Sequence, residues 1–178
     1  MKVNKYYPVL GDDSIETATT SVQLCTELFP NAVQIWWGGN YYAHVLPPSS
    51  CWIVWDKENT GNFADAELAW TNQPTAVRIF RHMWNGMLKD SEHGQRRVHP
   101  TQKPVALAEW CFDKYGKPND VIFDPFLGSG ISILAAQKME GDRTVYGMEL
   151  SENYCEIVLQ RWTSLTGQEP VLIESGLC

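Results

Sequence analysis

The sequence predicts an α/β fold in which a parallel sheet is covered by helices, and two observations lead to this class. The C-terminal half alternates short apolar runs with helical patterns in the order strand, helix, strand, helix. A glycine turn, "DPFLGSG" (124–130), lies between the first of these strands and its helix. Because open parallel sheets bind ligands beyond the carboxyl ends of their strands, this turn marks the expected binding edge.

Each element follows from hydrophobic periodicity and from capping or turn residues. We expect helices over four segments, 19–29, 104–115, 131–139 and 152–165. We expect strands over six segments, 32–37, 51–56, 66–71, 76–84, 121–124 and 143–149. Pro104 opens the second helix at the position where proline fits best, Gly116 ends it, and Ser151 caps the last helix. Residues 85–102 show no periodicity and are predicted to form a mobile loop.

The composition predicts a single globular domain over residues 1–178. A chain of this size buries roughly two-thirds of its unfolded surface, which allows a sizeable core. No apolar run approaches the roughly 20 residues that cross a bilayer, and the N-terminus lacks the apolar core of a signal peptide. We therefore expect a cytoplasmic protein with no membrane partner.

Five scattered cysteines argue against two further classes of protein. Their number is odd and they include no C-x-x-C pair, so neither a disulfide framework nor a zinc site is expected. We predict free thiols and no metal ligands.

The charge is unevenly distributed along the chain. The formal net charge of −7 argues against a protein that coats nucleic acid by bulk electrostatics. Six basic side chains nevertheless fall within 78–103, opposed only by Asp90 and Glu92. They are Arg78, Arg81, Lys89, Arg96, Arg97 and Lys103. This segment is either a face that contacts phosphate or an ordinary solvated surface.

The glycine turn and a later acid together predict a nucleoside-binding site. Gly128 and Gly130 allow close approach of the backbone to a ligand, and the following helix directs its first amide groups into the same space. The turn matches neither the P-loop nor G-x-G-x-x-G. Glu149 follows Asp124 by 25 residues, near the spacing at which an acid binds both ribose hydroxyls. Alternatively, Glu149 only stabilises the start of the last helix, by roughly 0.3–1 kcal/mol.

Two motifs in a particular order carry a family resemblance. "DPFLGSG" preceded by "VHPTQKP" (98–104) resembles the amino-methylating DNA methyltransferases, which transfer a methyl group from S-adenosylmethionine to the exocyclic amine of adenine or cytosine. The order is that of the permuted members of this family. Residues 37–57, "ELAWT" and "MELSENYCEIVLQR" are also similar, especially to phage and bacterial orphan forms, so the resemblance covers nearly the whole chain. It implies a Rossmann-like methyltransferase sheet with helices on both faces.

The resemblance implies two sets of site residues. Those that bind S-adenosylmethionine are Asp124, Pro125, Phe126, Gly128, Ser129 and Gly130, with Glu149 at the ribose, Leu150 near the adenine, and Thr101, Gln102, Lys103 and Pro104 closing the pocket. If the chain is such an enzyme, its basic segment would contact DNA through Arg78, Arg81, Arg96 and Arg97. Lys103 suits a carboxylate-bearing ligand, and a solvated lysine at a helix start fits the sequence nearly as well.

The family's catalytic motif, D-P-P-Y or a close variant, is not found. That motif accepts the hydrogens of the target amine and stacks an aromatic ring on a base flipped out of the duplex. The only Pro-Pro pair lies in "LPPS" (46–49), with an apolar residue before it and no aromatic residue after it. No residue is therefore assigned a catalytic role, and the chain is expected to begin just downstream of where the motif would stand.

The missing motif has a consequence for the sheet. In the family, the strand that leads into it lies beside the strand at 121–124, so its loss predicts two unpaired strand edges. Three replacements are open: residues 2–10, a rearranged sheet, or a strand from another chain in a homo-oligomer or a complex. Three functions also stay open: a truncated or divergent DNA methyltransferase, a non-catalytic remnant that binds cofactor or DNA, and a methyltransferase for another substrate.

Overall fold

The computed structural model describes residues 6–59, 64–85 and 88–173, and it confirms the mixed α/β class. In chain order the elements are α1 (Glu16–Leu28), β1 (Ile35–Trp37), a short 3-10 turn (Gly39–Tyr41), β2 (Trp52–Asp56), β3 (Ala66–Thr71), β4 (Arg78–Arg81), β5 (Trp84–Asn85), β6 (Leu88–Lys89), α2 (Val105–Tyr115), β7 (Val121–Asp124), α3 (Ile131–Lys138), β8 (Thr144–Gly147) and α4 (Glu152–Thr166). None of the helices in the described ranges is long and apolar enough to span a membrane.

Three predicted segments need correction. The segment 76–84, predicted as one strand, contains parts of two strands. Strand β4 ends at Arg81, and Trp84 belongs to β5, where it pairs with Lys89 of β6 in a separate antiparallel sheet. The predicted loop 85–102 therefore contains β6. Helix α1 begins at Glu16, three residues before the predicted start. Its first turn is favoured by the acidic side chain of Glu16, whose amide also donates a 3.3 Å hydrogen bond to Ser14 Oγ.

The larger sheet has the strand order β1-β3-β2-β4 and is covered on both faces. Strand β3 runs antiparallel to β1 and β2, and β4 runs parallel to β2. Because successive side chains of a strand point to opposite faces, Trp36 and Trp70 pack against α1, whereas Ile53 and Ala69 pack against Cys111 of α2. The predicted placement of helices on both faces is confirmed for this sheet.

Helix α2 also connects this sheet to the C-terminal half. Its residues Val105 and Ala108 pack against Leu134 and Ala135 of α3, which directly follows β7 and the glycine turn. Strand β7 pairs with β8 in parallel, with Asp124 opposite Gly147 at their carboxyl ends. The glycine turn and Glu149 thus follow neighbouring strands of the smaller parallel pair.

Among the described residues, the four-stranded sheet and the β7–β8 pair are separate sheets, and each leaves strand edges unpaired. In the described ranges, β1 pairs only with β3, β7 pairs only with β8, and no strand joins the two sheets. Val121 and Tyr146 in these two strands are 71% and 62% exposed. Phe123 of β7 reaches Phe29 beyond α1, with ring centroids 5.9 Å apart.

The N-terminal segment leaves these edges open where it is described. Residues 6–10 form no strand, and residues 2–5 of the proposed filling segment lie outside the described ranges. Tyr7 instead lies against α4, where its carbonyl accepts a 2.8 Å hydrogen bond from the hydroxyl of Tyr154.

Candidate functional site

The glycine turn after β7 depends on two glycines for different reasons. Gly128 and Gly130 have φ angles of +52° and +76°, which residues other than glycine rarely adopt. Gly130 is also crowded, because a Cβ at this position would lie 2.8 Å from Cγ1 of Val158 in α4. The Gly130 amide donates to the carbonyl of Leu127 over 2.8 Å, which closes the turn at the start of α3.

Asp124 holds this turn in shape. Its Oδ1 accepts the amide of Phe126 over 3.1 Å, and its Oδ2 accepts the hydroxyl of Ser132 in the first turn of α3 over 2.7 Å. The carboxylate therefore links the end of β7 to the start of the next helix. The role that its contacts show is to fix the path of the backbone.

Glu149 joins the glycine turn to the start of α4. Its Oε2 accepts the amide of Gly128 over 2.9 Å, and its Oε1 accepts the amide of Ser151 over the same distance. The second bond fits the interpretation of Glu149 as a stabiliser of the last helix, and the first places it at the turn. Because each carboxylate oxygen has further lone pairs, the group can still accept hydroxyl hydrogens of a ligand.

The segment 98–104 lies opposite the turn, and His99 is its nearest described contact. The imidazole Nε2 lies 3.7 Å from where a Cβ on Gly128 would stand, and the ring packs against Tyr154 with centroids 4.3 Å apart. The Thr101 amide donates to Nδ1 over 3.2 Å, which assigns the proton of the neutral ring to Nε2. The sequence interpretation omitted His99, although it stands within the "VHPTQKP" motif.

Gln102 and Pro104, also predicted as site residues of the segment 98–104, pack inside the protein. Gln102 is buried, and its side-chain Oε1 accepts a 2.8 Å hydrogen bond from the amide of Val98. Its backbone carbonyl accepts a 2.9 Å hydrogen bond from the indole nitrogen of Trp84. Pro104 is buried directly before α2. Phe126 and Leu150, by contrast, are exposed, so their apolar side chains are accessible beside the turn.

Lys103 is directed toward β3. Its Nζ lies 3.5 Å from Oε2 of Glu67, whose other oxygen is 2.6 Å from Nζ of Lys57. Burial raises the pKa of Glu67, but the two lysines outweigh that effect and the pKa is lowered overall. Lys103 is therefore an ion-paired residue in this conformation, and the interpretation as a merely solvated lysine is wrong.

The four predicted DNA-contacting arginines occupy different surroundings. Arg78 and Arg81 lie at positions of β4 whose side chains point to opposite faces, and Arg81 Nε is 3.6 Å from Oδ2 of Asp56. Arg96 is exposed. The guanidinium of Arg97 lies 5.5 Å from the ring centroid of Trp84 and donates to the Trp84 carbonyl over 2.8 Å.

Several hydrogen bonds hold the segment that contains Arg96 and Arg97. His82 Nε2 lies 2.9 Å from Ser91 Oγ, and Lys89 Nζ donates to the Gln95 carbonyl over 2.8 Å. Mobility of residues 85–102 stays a prediction, and these hydrogen bonds restrict the segment at Lys89, Ser91 and Gln95.

Stability is expected to fall at mildly acid pH through His99. Burial lowers the pKa of His99 against an opposing effect of Glu149, so the unfolded chain binds this proton first as the pH falls below about 6.5. We expect the midpoint temperature of thermal unfolding to decrease as the pH is lowered from about 7.5 to about 5.5. The decrease should be smaller in His99→Gln. The control is His93→Gln, which replaces an exposed histidine. If His99→Gln kept the pH dependence of the wild type, His99 would not be the source of the loss of stability. Burial also lowers the pKa of His82, so this residue is expected to contribute to the pH dependence that remains.

Comparisons with known proteins agree with this geometry. A family model described as DNA methylase matches residues 48–160. The type II methyltransferase M.ScaI of Streptomyces caespitosus is 36% identical over 88 residues, which are 49% of this chain and 28% of that protein. The putative methylase YubD of Escherichia coli (strain K12) is 36% identical over 70 residues, 39% of this chain and 30% of that protein. The chain thus matches less than a third of the length of these curated relatives.

A solved structure supports the fold over a larger share of the chain. The crystal structure of the M1.HpyAVI–SAM complex aligns with a TM-score of 0.56 at 22% identity and covers 87% of this chain and 85% of that chain. The likeness extends across both the larger sheet and the glycine-turn half.

Proposed function

Because the chain belongs to the family of DNA methylases that modify adenine N6 or cytosine N4, we propose that it is an S-adenosylmethionine-dependent DNA methyltransferase-like protein, truncated or divergent at the catalytic motif. The observation that carries the proposal is the hydrogen bond from the Gly128 amide to Glu149. It joins the turn after β7 to the acid after β8, at the edge where parallel strands bind ligands.

The proposed cofactor pocket lies between the glycine turn and the segment 98–104. Glu149 would accept the ribose hydroxyls, Leu150 would lie near the adenine, and Phe126 would cover an apolar part of the ligand. The backbone of the turn would approach the methionine part at Gly128, which presents no side chain there. The remaining members of the proposed set are Asp124, Pro125, Ser129, Thr101, Gln102, Lys103 and Pro104. Lys103 would need to exchange Glu67 for the ligand carboxylate.

DNA contact is proposed for the basic side chains on and after β4. Arg81 and Arg96 are exposed, which suits contact with phosphate, whereas Arg97 is held on Trp84. Contacts of this kind position a duplex and carry no sequence information directly.

The transfer step needs groups of the kind that a D-P-P-Y motif supplies, and no such motif is found in the sequence. An exocyclic amine is a poor nucleophile, so its hydrogens require an acceptor and its base requires an aromatic partner. We infer that a second chain, either another copy or a different polypeptide, completes the sheet between the open edges of β1 and β7. Such edges present unpaired backbone donors and acceptors, which readily pair with an added strand.

A non-catalytic remnant that binds cofactor or DNA is the second candidate function. The absence of a D-P-P-Y motif from the sequence and the split between the two sheets favour it. In this case the pocket would bind S-adenosylmethionine without supporting transfer.

Titration with S-adenosylmethionine and a transfer assay distinguish these functions. We expect the cofactor to bind, and labelled methyl transfer to mixed-sequence DNA to appear when a synthetic strand ending in Asp-Pro-Pro-Tyr is added. The control peptide has Ala-Pro-Pro-Ala at its end. Cofactor binding without transfer under either condition favours the remnant, and transfer by the chain alone shows a divergent catalytic motif. No binding at high micromolar cofactor refutes the pocket.

A further inference from the structure

A buried ion pair joins the basic segment to the back of the glycine turn. Glu92 Oε1 lies 2.8 Å from a terminal nitrogen of Arg161 in α4, and the two side chains are only 10% and 14% exposed. The other terminal nitrogen of Arg161 donates to the carbonyl of Ser129. Arg161 thus holds Glu92 on one side and the backbone of the glycine turn on the other.

The same carboxylate holds the start of α2. Glu92 Oε2 accepts the amide of Val105 over 3.0 Å, which satisfies a helix-terminal donor that has no partner within the helix. Since Val105 directly follows the segment 98–104, Glu92 is linked to both sides of the proposed pocket, directly at Val105 and through Arg161 at the glycine turn. It does so from a segment whose other charged side chains are mostly basic.

Two features of this segment are unfavourable in the conformation that the structure describes. Glu92 has φ of +53°, a strained conformation for a residue with a side chain. In the described part of the chain, Nε of Arg97 is buried and has no hydrogen-bond partner, which is unusual for a buried donor. A phosphate that drew Arg97 away from Trp84 would give that donor an acceptor, at a position five residues along the chain from Glu92.

We propose that Glu92 is a positioning residue through which the basic segment controls the glycine turn. Binding of a duplex at Arg96 and Arg97 shifts Glu92, and the shift passes through Arg161 to Ser129 and so alters affinity for S-adenosylmethionine. By linkage, the cofactor alters affinity for the duplex by the same factor. The inference rests on the proposed function, because it requires both ligands to bind.

Three variants test the coupling. Glu92→Gln removes the charge that holds Arg161, and Arg161→Lys keeps a cation that lacks the forked geometry needed for two partners. Glu109→Gln is the matched control, since it breaks the ion pair to Lys138 between α2 and α3 without contacting the glycine turn. Affinity for S-adenosylmethionine is measured with and without a mixed-sequence duplex of fixed length, and backbone hydrogen exchange is followed over 128–131.

In the wild-type protein we expect the duplex to change the cofactor affinity by about fivefold or more. Glu92→Gln and Arg161→Lys should lose this change, weaken cofactor binding about threefold to thirtyfold, and exchange faster at 128–131. Glu109→Gln should match the wild type in coupling and in exchange over that turn.

Two results overturn the inference. One is a wild-type protein that binds both ligands with no coupling, and the other is full coupling and unchanged local exchange in Glu92→Gln. If the wild type binds no cofactor, the proposed function fails together with the inference. If Glu92→Gln loses as much stability as Glu109→Gln but keeps the coupling, the ion pair between Glu92 and Arg161 has only a structural role.

Discussion

Glu149→Ala is expected to raise the Kd for S-adenosylmethionine at least about a hundredfold, measured by calorimetric titration. The substitution removes the acceptor of the Gly128 and Ser151 amides, each at 2.9 Å, together with the proposed ribose acceptor. Hydrogen bonds to a charged group contribute roughly 1.5–3 kcal/mol each, and about 2.7 kcal/mol corresponds to a hundredfold change in Kd.

The control for this substitution is Glu152→Gln in the first turn of α4. Glu152 is exposed and lies three residues away, so its removal changes the same charge near the helix start without touching the glycine turn. We expect its Kd to stay within about threefold of the wild type, because a helix-terminal charge is worth roughly 0.3–1 kcal/mol. A folded Glu149→Ala protein with wild-type affinity would remove Glu149 from the pocket.

Gly130→Ala should destabilise the protein by about 2–5 kcal/mol, measured by urea unfolding. A left-handed backbone costs an alanine about 1–2 kcal/mol. The added Cβ would also stand 2.8 Å and 2.9 Å from the two methyl groups of Val158, and relieving such overpacking costs about 1–3 kcal/mol.

A matched glycine separates these two contributions. Gly167 after α4 has φ of +71°, and a Cβ there would meet nothing within 4 Å. Gly167→Ala should therefore lose only about 1–2 kcal/mol. Equal losses at the two positions would mean that Val158 moves aside at no cost and that the close packing of α4 on the turn is loose.

The fold elements with clear periodicity were predictable from the sequence, and the shortest ones were not. Strands β3 and β7 have the predicted bounds, since apolar patterns and turn residues on both sides define them locally. The hairpin of β5 and β6 was missed because two-residue strands have no periodicity. Its contacts include the Lys89 ammonium 4.5 Å from the ring centroid of Trp84.

The site was predictable to the extent that it lies in contiguous motifs. The proximity of Glu149 to the glycine turn followed from spacing between two neighbouring strands, and the structure places a hydrogen bond there. The surroundings of His99 and Lys103 were not predictable, because their partners Tyr154 and Glu67 come from distant parts of the chain.

By itself the sequence determined the α/β class, the glycine turn and the absence of a D-P-P-Y motif, since these depend on residues that are close along the chain. The tertiary structure decided which edges stay open and which charges meet. Glu92 and Arg161 are 69 positions apart, and only the packing of α4 behind the turn brings them to 2.8 Å. Local patterns carry no information about that distance, because it is set by how the helices and sheets pack on one another.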